Sequence, residues 1–360
     1  WLEAKLVKSD WRPVKVYEGV AYDSKVKFVE KKEELKLDEN LSLEEAIVKD
    51  TLLKGKQALI FVSTRRNAES LAEKLGKLVK NHLSKVEKEM LAKLAEEVLH
   101  VLEAPTKQCR RLSKCVRNGV AFHHSGLLYR QKEMVEENFK RGVIKVIVAT
   151  PTLAYGVNVP AFRVVVRDVK RYYPGIGSVY IPVLDYKQFC GRSGRPQYDK
   201  YGEAIIIARN EDEAEKFVEH YILGEPEDIV SKLSVEPILR MHTLALIASG
   251  IQSMQKLKEF FSLTFYAFQH GFLDLLMEKV EKIVNMLADF GFVVRVNDKV
   301  AATRIGKRVA ELYIDPITAH NFLLALEVAR NKRLTAISWL QLIANTSEMR
   351  PFPAIRSGEW

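Results

Sequence analysis

The fold is decided by one stretch near the middle of the chain, VIKVIVATPTLAYGVNVP at residues 143–160. Its first seven residues are almost all apolar, which is typical of a strand buried on both faces of a parallel sheet. A polar loop rich in threonine, proline and glycine follows at once. Because ligands usually bind beyond the carboxyl ends of parallel strands, this stretch predicts a binding edge on an α/β sheet.

The same pattern of apolar strand, turn and helix recurs on both sides of this stretch. Alternating strands and helices indicate a parallel sheet covered by helices. A long charged segment at residues 67–102 reads as helical, and residues 1–40 read as a linker with two short entry strands. The further strands of the sheet are predicted at residues 58–62, 120–122, 164–166 and 204–208.

The character of the chain changes after residue 224, where strands give way to helices. Helical patterns cover residues 237–248, 254–265 and 272–290. A turn signal, Asn-Asp-Lys at residues 297–299, then separates two short β-prone runs. Three helices followed by a two-stranded wing are typical of a winged helix, and the pattern is helical again from Asp315 onward.

The composition favours a polyanionic partner. The 360 residues carry a formal net charge of +10, and lysine and arginine can displace counterions from phosphates. Three cysteines occur without a CxxC pair, which indicates neither a zinc site nor a disulfide framework. His123 and His124 are adjacent and therefore point apart, so we expect no metal site. No segment reaches the roughly 18 apolar residues of a membrane span.

The strongest chemical signal is the segment QFCGRSGRP at residues 188–196. Its two arginines, Arg192 and Arg195, are three residues apart just after a predicted turn of helix at residues 185–189, and at that spacing both guanidinium groups can point to one side. A guanidinium group keeps its charge, and its planar fork matches phosphate oxygens. The pair is suited to neutralise charge that develops on a transferring phosphoryl group. The alternative is a basic surface loop with ordinary ion pairs.

Two other segments combine a strand end with polar side chains, and a third segment predicts a hairpin. Ser63, Thr64 and Arg65 follow the strand at residues 58–62, and the segment FHHSGL occupies residues 122–127. Between the threonine-rich loop and the arginine segment lies KRYYPGIGSVYIP, at residues 170–182. Its Pro-Gly turn signal and its flanking aromatic and β-branched residues predict a β-hairpin.

In this order and at these separations, the segments resemble motifs IV, IVa, V and VI of superfamily 2 helicases. HHSGL, TPTLAYGVNVPA, QFCGRSGRP with the following YDKYGEA, and YIDP at residues 313–316 are similar to the Ski-type branch. Within that branch the chain most resembles the archaeal Hjm-type DNA repair helicases. The resemblance covers nearly the whole chain. It implies a second RecA-like domain at residues 41–223, a winged-helix domain at 224–314 and the truncated start of a helical ratchet domain at 315–360.

The resemblance also implies roles for the residues of the nucleotide side. Arg192 and Arg195 would contact the ATP phosphates across the cleft between two RecA-like domains. Gln188 would help to couple nucleotide and nucleic acid, and Gly156 and Asn158 would help to sense the nucleotide state. ATP and Mg²⁺ would be bound mainly by the first RecA-like domain.

On the nucleic-acid side, the resemblance implies contacts to the backbone of a single strand, which carry no base identity. In the family a hairpin between motifs V and VI separates the strands of the duplex. A tyrosine of the hairpin could stack on the last base pair, and the alternative is a plain surface hairpin packed by its tyrosines. The nucleic-acid residues so implied are Ser63, Thr64, Arg65, His124, Thr150, Thr152, Tyr172 and Tyr173.

The sequence holds no GxxxxGK[ST] pattern and no DExH run after a strand. In the family both lie in the first RecA-like domain. Both ends of the chain look cut, because it begins without Met and stops without a closing element. We therefore expect this chain alone to be inactive in ATP hydrolysis.

The leading interpretation is the C-terminal part of an ATP-dependent DNA helicase that moves 3′ to 5′ and unwinds forked or branched DNA in replication-fork repair and recombination. One alternative is an RNA helicase of the superkiller or spliceosomal kind. Another is a non-catalytic nucleic-acid-binding module, against which the intact Arg192, Arg195, Gly156 and Asn158 argue. The resemblance further implies that the protein binds single-stranded and forked DNA, and that its protein partner is a Holliday-junction resolvase or a sliding clamp. It also implies a monomer that does not contact the membrane and that is associated with the nucleoid in an archaeal cytoplasm.

Overall fold

The computed structural model describes residues 2–5, 7, 9, 11–173, 177–271, 273–332, 334–350 and 352. The chain divides into two compact units, one comprising Lys8–Glu227 and the other Trp1–Val7 with Asp228–Trp360. Within the described part of the chain, no helix is both long and apolar enough to cross a membrane.

The larger unit is built on a sheet of eight strands, counted over the described residues. The order across this sheet is β3-β2-β1-β10-β7-β4-β6-β5, and every neighbouring pair from β1 to β5 is parallel. The prediction of an α/β fold is confirmed. In chain order the strands of both units are β1 (Lys15–Tyr22), β2 (Lys25–Phe28), β3 (Leu35–Lys36), β4 (Ala58–Phe61), β5 (Val120–His123), β6 (Val146–Ala149), β7 (Arg163–Val166), β8 (Lys170–Tyr173), β9 (Gly177–Tyr180), β10 (Tyr201–Ile207), β11 (Val293–Val296) and β12 (Lys299–Ala302).

The central strands are continuous apolar runs because both of their faces are covered. Every residue of β4, β5, β6 and β7 is buried. Arg163 is charged and begins β7. It donates from Nε to Glu203 on β10 at 2.9 Å and from Nη1 to Asp50 at 2.8 Å. Buried charge is tolerated here because it is paired.

Residues 1–40, which we expected to be a linker with entry strands, contribute three strands to this same sheet. β1 pairs with β10 in parallel, and β2 and β3 extend the sheet in antiparallel fashion. Lys31 donates to the Glu203 carboxylate at 2.8 Å, so the charged run after β2 lies against the sheet.

The helices of the larger unit connect and cover the strands. The segment predicted as one helical region at residues 67–102 is broken at Leu83, which has extended backbone angles, and Ser84 caps the next helix. The helices are α1 (Leu43–Leu53), α2 (Arg65–Val79), α3 (Lys85–Leu99), α4 (Lys107–Arg117), α5 (Tyr129–Lys140), α6 (Thr152–Gly156), α7 (Val183–Cys190) and α8 (Glu211–Phe217).

The hairpin predicted between the threonine-rich loop and the arginine segment is confirmed. β8 and β9 pair antiparallel, with Tyr172 opposite Ser178. The predicted turn residues Pro174 and Gly175 lie outside the described residues.

The smaller unit contains helices and one two-stranded antiparallel sheet among its described residues. β11 and β12 form the predicted hairpin, and Asn297 in their turn has a φ of 53°, a left-handed conformation that asparagine tolerates. The helix predicted at residues 254–265 ends at Ser262, because Thr264 caps a separate short helix. The helices are α9 (Glu236–Ala248), α10 (Met254–Ser262), α11 (Phe265–His270), α12 (Leu273–Asp289), α13 (Arg304–Leu312), α14 (Pro316–Ala329) and α15 (Ala336–Ala344).

Candidate active site and nucleic-acid interface

Loops from neighbouring parallel strands meet at the carboxyl edge of the large sheet. Arg65, after β4, donates from Nη2 to the Ser125 hydroxyl after β5 at 2.8 Å. Ser63 donates from its backbone N–H and its hydroxyl to Asp168 after β7, at 2.8 and 3.0 Å. The predicted residues of the loops after β4 and β5 are therefore brought together at this edge, although β6 lies between the two strands in the sheet.

Two threonines follow β6 at the same edge. The backbone N–H of Thr150 donates to the His123 carbonyl at 3.0 Å, and the hydroxyls of Thr150 and Thr152 are 3.0 Å apart. Thr152 is exposed, whereas Thr150 is buried. The exposed Thr64 accepts from the Asn67 N–H and so caps α2, which leaves its own O–H proton free to donate.

His124 lies behind this edge. Its side chain is buried, its Nδ1 accepts from the Gly126 N–H at 3.1 Å, and its Nε2 lies 3.2 Å from Glu69. Burial lowers the pKa of His124 and outweighs the effect of Glu69, which raises it. The ring is therefore neutral near pH 7 and braces the loop after β5 through both nitrogens.

His123 points to the other side of its strand, as expected for adjacent residues. Its Nε2 lies 2.8 Å from Glu136, and burial lowers the pKa of His123 despite that carboxylate. Within the described part of the chain, no group of three or more His, Cys, Asp and Glu residues is arranged to hold a metal ion.

The arginine segment follows α7 and is not helical. α7 ends at Cys190, and Gly194 has a φ of +83°. A Cβ on Gly194 would lie 2.7 Å from a methyl group of Val14, so only glycine fits this turn. The two arginines therefore lie beyond the helix, as expected, and they contact separate partners.

Arg192 contacts the segment that follows β6. Its Nη1 donates to Asn158 Oδ1 at 3.3 Å, and its Nη2 donates to the Ala154 carbonyl. Among the described residues no carboxylate lies within 4 Å of this guanidinium, and burial lowers the pKa of Arg192. A partly desolvated cation without a counterion is suited to accept an anionic ligand.

Arg195 is held firmly by its own domain. Its Nε and Nη2 donate to the two Asp199 oxygens at 2.8 and 3.2 Å, and its Nη1 donates to Gln57. Asp199 also accepts from the Arg195 backbone N–H and from Lys56 Nζ, at 3.1 and 2.7 Å. Burial raises the pKa of Asp199, but the hydrogen bonds from Arg195 and Lys56 together outweigh burial and lower it.

Two further predicted residues are exposed. Gln188 lies on the exposed side of α7, next to Phe189, whose ring stacks on Phe61 of β4 with centroids 4.3 Å apart. Gly156 ends α6, and a Cβ there would have no heavy atom within 4 Å. The packing of this chain does not itself require glycine at position 156, so open space remains there for a ligand or another domain.

Sequence reasoning missed three residues of the site. Asp168 could have been found by the strand-end rule, since it follows β7 by two residues. Asp199 lies four residues after Arg195 in YDKYGEA and could have been read as its counterion. No sequence signal marks Gln57, because its contact with Arg195 joins residues 138 positions apart.

Comparisons with known proteins agree on one family. The family model described as "Helicase conserved C-terminal domain" matches residues 102–197. The ATP-dependent DNA helicase Hel308 of Methanocella arvoryzae is 41% identical, over 100% of this chain and 48% of that protein. The Hel308 helicases of Pyrococcus horikoshii and Pyrococcus abyssi are 42% and 44% identical, over 98% and 89% of this chain. The chain spans about half the length of the curated relatives it matches.

Proposed function

Because the chain belongs to the Hel308-type branch of superfamily 2 helicases, we propose that it is the C-terminal part of an ATP-dependent DNA helicase. The complete protein would move 3′ to 5′ and unwind forked or branched DNA during replication-fork repair and recombination. The direction and the fork substrate rest on the family resemblance.

The observation that carries this proposal is that α6 lies between a hydroxyl suited to nucleic acid and the oxygen atoms that hold Arg192. At its start, Thr152 is exposed at the strand-end edge. Near its end, the Ala154 carbonyl and then Asn158 hold Arg192. If Arg192 moved toward a phosphate, α6 would therefore move with it and would displace Thr152, which is suited to contact nucleic acid.

We assign the nucleotide side to the residues around the arginine segment. Arg192 and Arg195 would add positive charge from across the cleft, while the first RecA-like domain would bind most of the ATP and Mg²⁺. The ATP phosphates would supply the anion that Arg192 lacks in this chain. Asn158 and Gly156 would sense the nucleotide, and Gln188 would couple it to nucleic acid. Since the phosphate-binding motifs belong to the other half, this chain alone would not turn over ATP.

We assign the nucleic-acid side to the strand-end edge and the hairpin. Hydroxyl, amide and guanidinium donors at this edge match phosphate oxygens and carry no base preference. His124 would act through the loop that it braces. Tyr172 and Tyr173 of the β8–β9 hairpin would stack on the last base pair of the duplex. The edge residues are Ser63, Thr64, Arg65, Thr150 and Thr152.

The test is ATP hydrolysis and strand separation by the complete helicase with forked DNA or a matched RNA. We expect stimulation by DNA, and a loss of about 10³-fold or more in Arg192→Ala and in Arg195→Ala. Arg308→Ala, which removes an exposed arginine of α13, is the control and should behave like wild type.

Two outcomes would contradict the proposal. Stimulation by RNA alone would assign the protein to the RNA helicases. Absence of any turnover in a well-folded complete protein would favour the non-catalytic binding module.

The family resemblance supports four further proposals. The protein would act as a monomer, would lie in an archaeal cytoplasm at the nucleoid, and would bind single-stranded and forked DNA. A Holliday-junction resolvase or a sliding clamp would be its protein partner. Light scattering of the purified helicase and co-purification with each candidate would test these assignments.

A further inference from the structure

Helix α4 carries an unusual concentration of positive charge. Its sequence, KQCRRLSKCVR, contains five cations and no acidic residue. Like charges four residues apart on a helix, such as Arg110 and Lys114, destabilise it by roughly 0.2–0.5 kcal/mol per pair. The helix dipole favours Lys114 and Arg117 in the last turn, but the helix sequence holds no acidic residue to offset the repulsion.

Neighbouring helices neutralise only part of this charge. Arg111 is paired with Glu73 and Glu69, and Arg117 is paired with Glu96. The remaining cations are exposed, and among the described residues none of them has a carboxylate within 4 Å. These remaining cations are Lys107, Arg110 and Lys114.

The three free cations form a stripe. Their spacings of three and four residues place them on one side of α4, about 5 Å apart along its axis. One strand of duplex DNA presents a phosphate about every 3.4 Å of helix axis, so each cation of the stripe can find a phosphate partner.

A cleft beside the stripe adds a second feature. It has a volume of about 400 Å³ and lies between α2 and α4, with Lys77, Lys114 and Asn118 in its lining. Its carboxylate, Glu73, is already engaged by Arg111 at 2.8 and 3.0 Å. The cleft therefore combines ammonium and amide donors and can accommodate an anionic group.

The stripe is continuous with the strand-end edge. Gln108, in the first turn of α4, donates from Nε2 to the Gly126 carbonyl at 2.9 Å. Ser125, one residue earlier in that loop, accepts from Arg65. A nucleic acid bound at the edge would therefore have the stripe within reach of its next segment.

We propose that this basic face, defined as Lys77, Lys107, Arg110 and Lys114, binds the phosphate backbone of a double-stranded arm of the DNA substrate. The inference rests on the proposed function. A duplex is favoured over a single strand because the described exposed residues of α2 and α4 include no aromatic side chain. Single-strand binders gain affinity by stacking bases on aromatic rings, whereas a duplex keeps its bases inside and offers phosphates.

The experiment uses the complete helicase with three stripe residues changed together, Lys107→Gln, Arg110→Gln and Lys114→Gln. Glutamine removes the charge and preserves helix propensity. Affinity for a fork with double-stranded arms, and for one of its strands alone, is measured between 50 and 200 mM salt. We expect the salt slope for the fork to fall by about 2.7, since each lost phosphate contact removes about 0.9, while the slope for the single strand stays unchanged.

The matched control removes three charges from the adjacent helix α3, by Lys85→Gln, Lys88→Gln and Lys93→Gln. These lysines are exposed, but acidic residues on the same helix would repel phosphates, so we expect α3 to bind no DNA. The salt slope of this variant for the fork should therefore equal that of the wild type. An unchanged slope in the α4 variant, or an equal loss on the single strand, would overturn the inference. The inference would also be overturned if the α4 variant kept its full affinity for DNA but lost affinity for polyglutamate. That result would assign the basic face to an acidic protein partner.

Failure of this inference is separable from failure of the proposed function. ATP hydrolysis by the wild-type helicase with single-stranded DNA tests the motor, and fork affinity of the variant tests the basic face. A helicase that hydrolyses ATP normally but shows no change in fork binding would leave the motor assignment intact and overturn the basic face.

Discussion

The Asp199 carboxylate makes most of the contacts that fix the position of Arg195, and Gln57 makes one more. Asp199 accepts three hydrogen bonds from Arg195, two from the guanidinium group and one from the backbone, and a fourth from Lys56. An arginine side chain has about 2 kcal/mol of rotamer entropy to lose when it is ordered. Because Asp199 orders the side chain in advance, little of that cost would remain when a phosphate binds.

We predict that Asp199→Asn lowers the kcat of DNA-stimulated ATP hydrolysis about 10- to 100-fold, with a much smaller change in KM. The asparagine amide would turn an N–H donor toward the guanidinium donors and release Arg195 from its position. Steady-state kinetics of the complete helicase measure this. Lys56→Gln is the control, because it removes the other cation at Asp199 and leaves the Arg195 contacts in place. Equal losses of kcat in both variants would contradict a positioning role.

The sequence predicted the two arginines but not the difference between them. Their spacing and residue type indicate a phosphate-binding pair. Which arginine keeps a free charge depends on the path of the chain after α7, where the left-handed Gly194 turns Arg195 toward Asp199. Arg192 instead meets a carbonyl and an amide oxygen. Such long-range pairing leaves no periodic signal in the sequence.

At the scale of elements, α3 shows a boundary that hydrophobic periodicity did not reveal. Ser84 and Glu87 form a capping box at its start, in which the Glu87 carboxylate accepts from the Ser84 N–H at 2.8 Å. The charged residues on both sides made the segment look like one long helix. The serine and glutamate spacing was the available signal, and it was hidden within a run rich in lysine and glutamate.

The same glutamate predicts a pH dependence. Burial alone raises the pKa of Glu87, but hydrogen bonds from Lys145 and Ser84 outweigh it and lower the pKa from 4.5 to about 2. Because the pKa is lower in the folded state, the stabilisation is complete above about pH 4.5 and is lost as the pH falls toward 2.

We therefore predict that Glu87→Gln is less stable than wild type by about 0.5–1 kcal/mol at pH 7, because glutamine keeps the acceptor of the capping box but loses the partly exposed ion pair with Lys145. The difference should shrink when urea unfolding is repeated at pH 3. Glu89→Gln, an exposed change on the same helix, should match wild type at both values. A difference for Glu87→Gln that is constant with pH would show that its carboxylate charge does not matter.

The β8–β9 hairpin has a fixed base and an exposed aromatic residue. Arg171 lies 3.4 Å from Asp185 of α7, and Tyr155 of α6 donates to the same carboxylate. Tyr172 is 70% exposed, so the packing of its own domain does not need its ring. The hairpin is thus connected to both the threonine-rich loop and the helix that leads to the arginines.

We predict that Tyr172→Ala lowers the rate of strand separation about tenfold, close to the loss of one stacked base, and leaves DNA-stimulated ATP hydrolysis nearly unchanged. Tyr172→Phe keeps the ring and should retain strand separation. Tyr129→Ala, which removes a tyrosine of similar exposure from α5, is the control. Equal loss of both activities in Tyr172→Ala would indicate a folding role for the hairpin.

At the scale of the whole molecule, alternating strands and helices predicted a parallel sheet but did not predict all the strands that belong to it. β1 and β10 pair although Lys15 and Tyr201 are far apart in sequence. The charged residues after β2 looked like a linker, yet Lys31 supplies a counterion for Glu203, which in turn holds the buried Arg163. Pairings of this kind depend on the assembled sheet and cannot be read from local composition.

In the proposed helicase, catalysis of ATP hydrolysis is divided between two RecA-like domains. In the proposed assignment Arg192 and Arg195 would stabilise charge on a transferring phosphoryl group, but the sequence of this chain contains no GxxxxGK[ST] loop to cradle the phosphates. Positive charge from one side cannot position ATP for attack. We therefore expect no ATP turnover above background from the isolated chain, with or without single-stranded DNA, in a coupled phosphate-release assay.

Supplying the first RecA-like domain in trans should restore DNA-stimulated turnover, because the arginines would then face bound phosphates. Arg192→Ala in this chain should lower the restored turnover by about 10³-fold or more. Lys93→Gln on α3 should not, since it lies outside the proposed site. Turnover by the isolated chain that disappears in Arg195→Ala would contradict this division, because it would mean that one half holds a complete site.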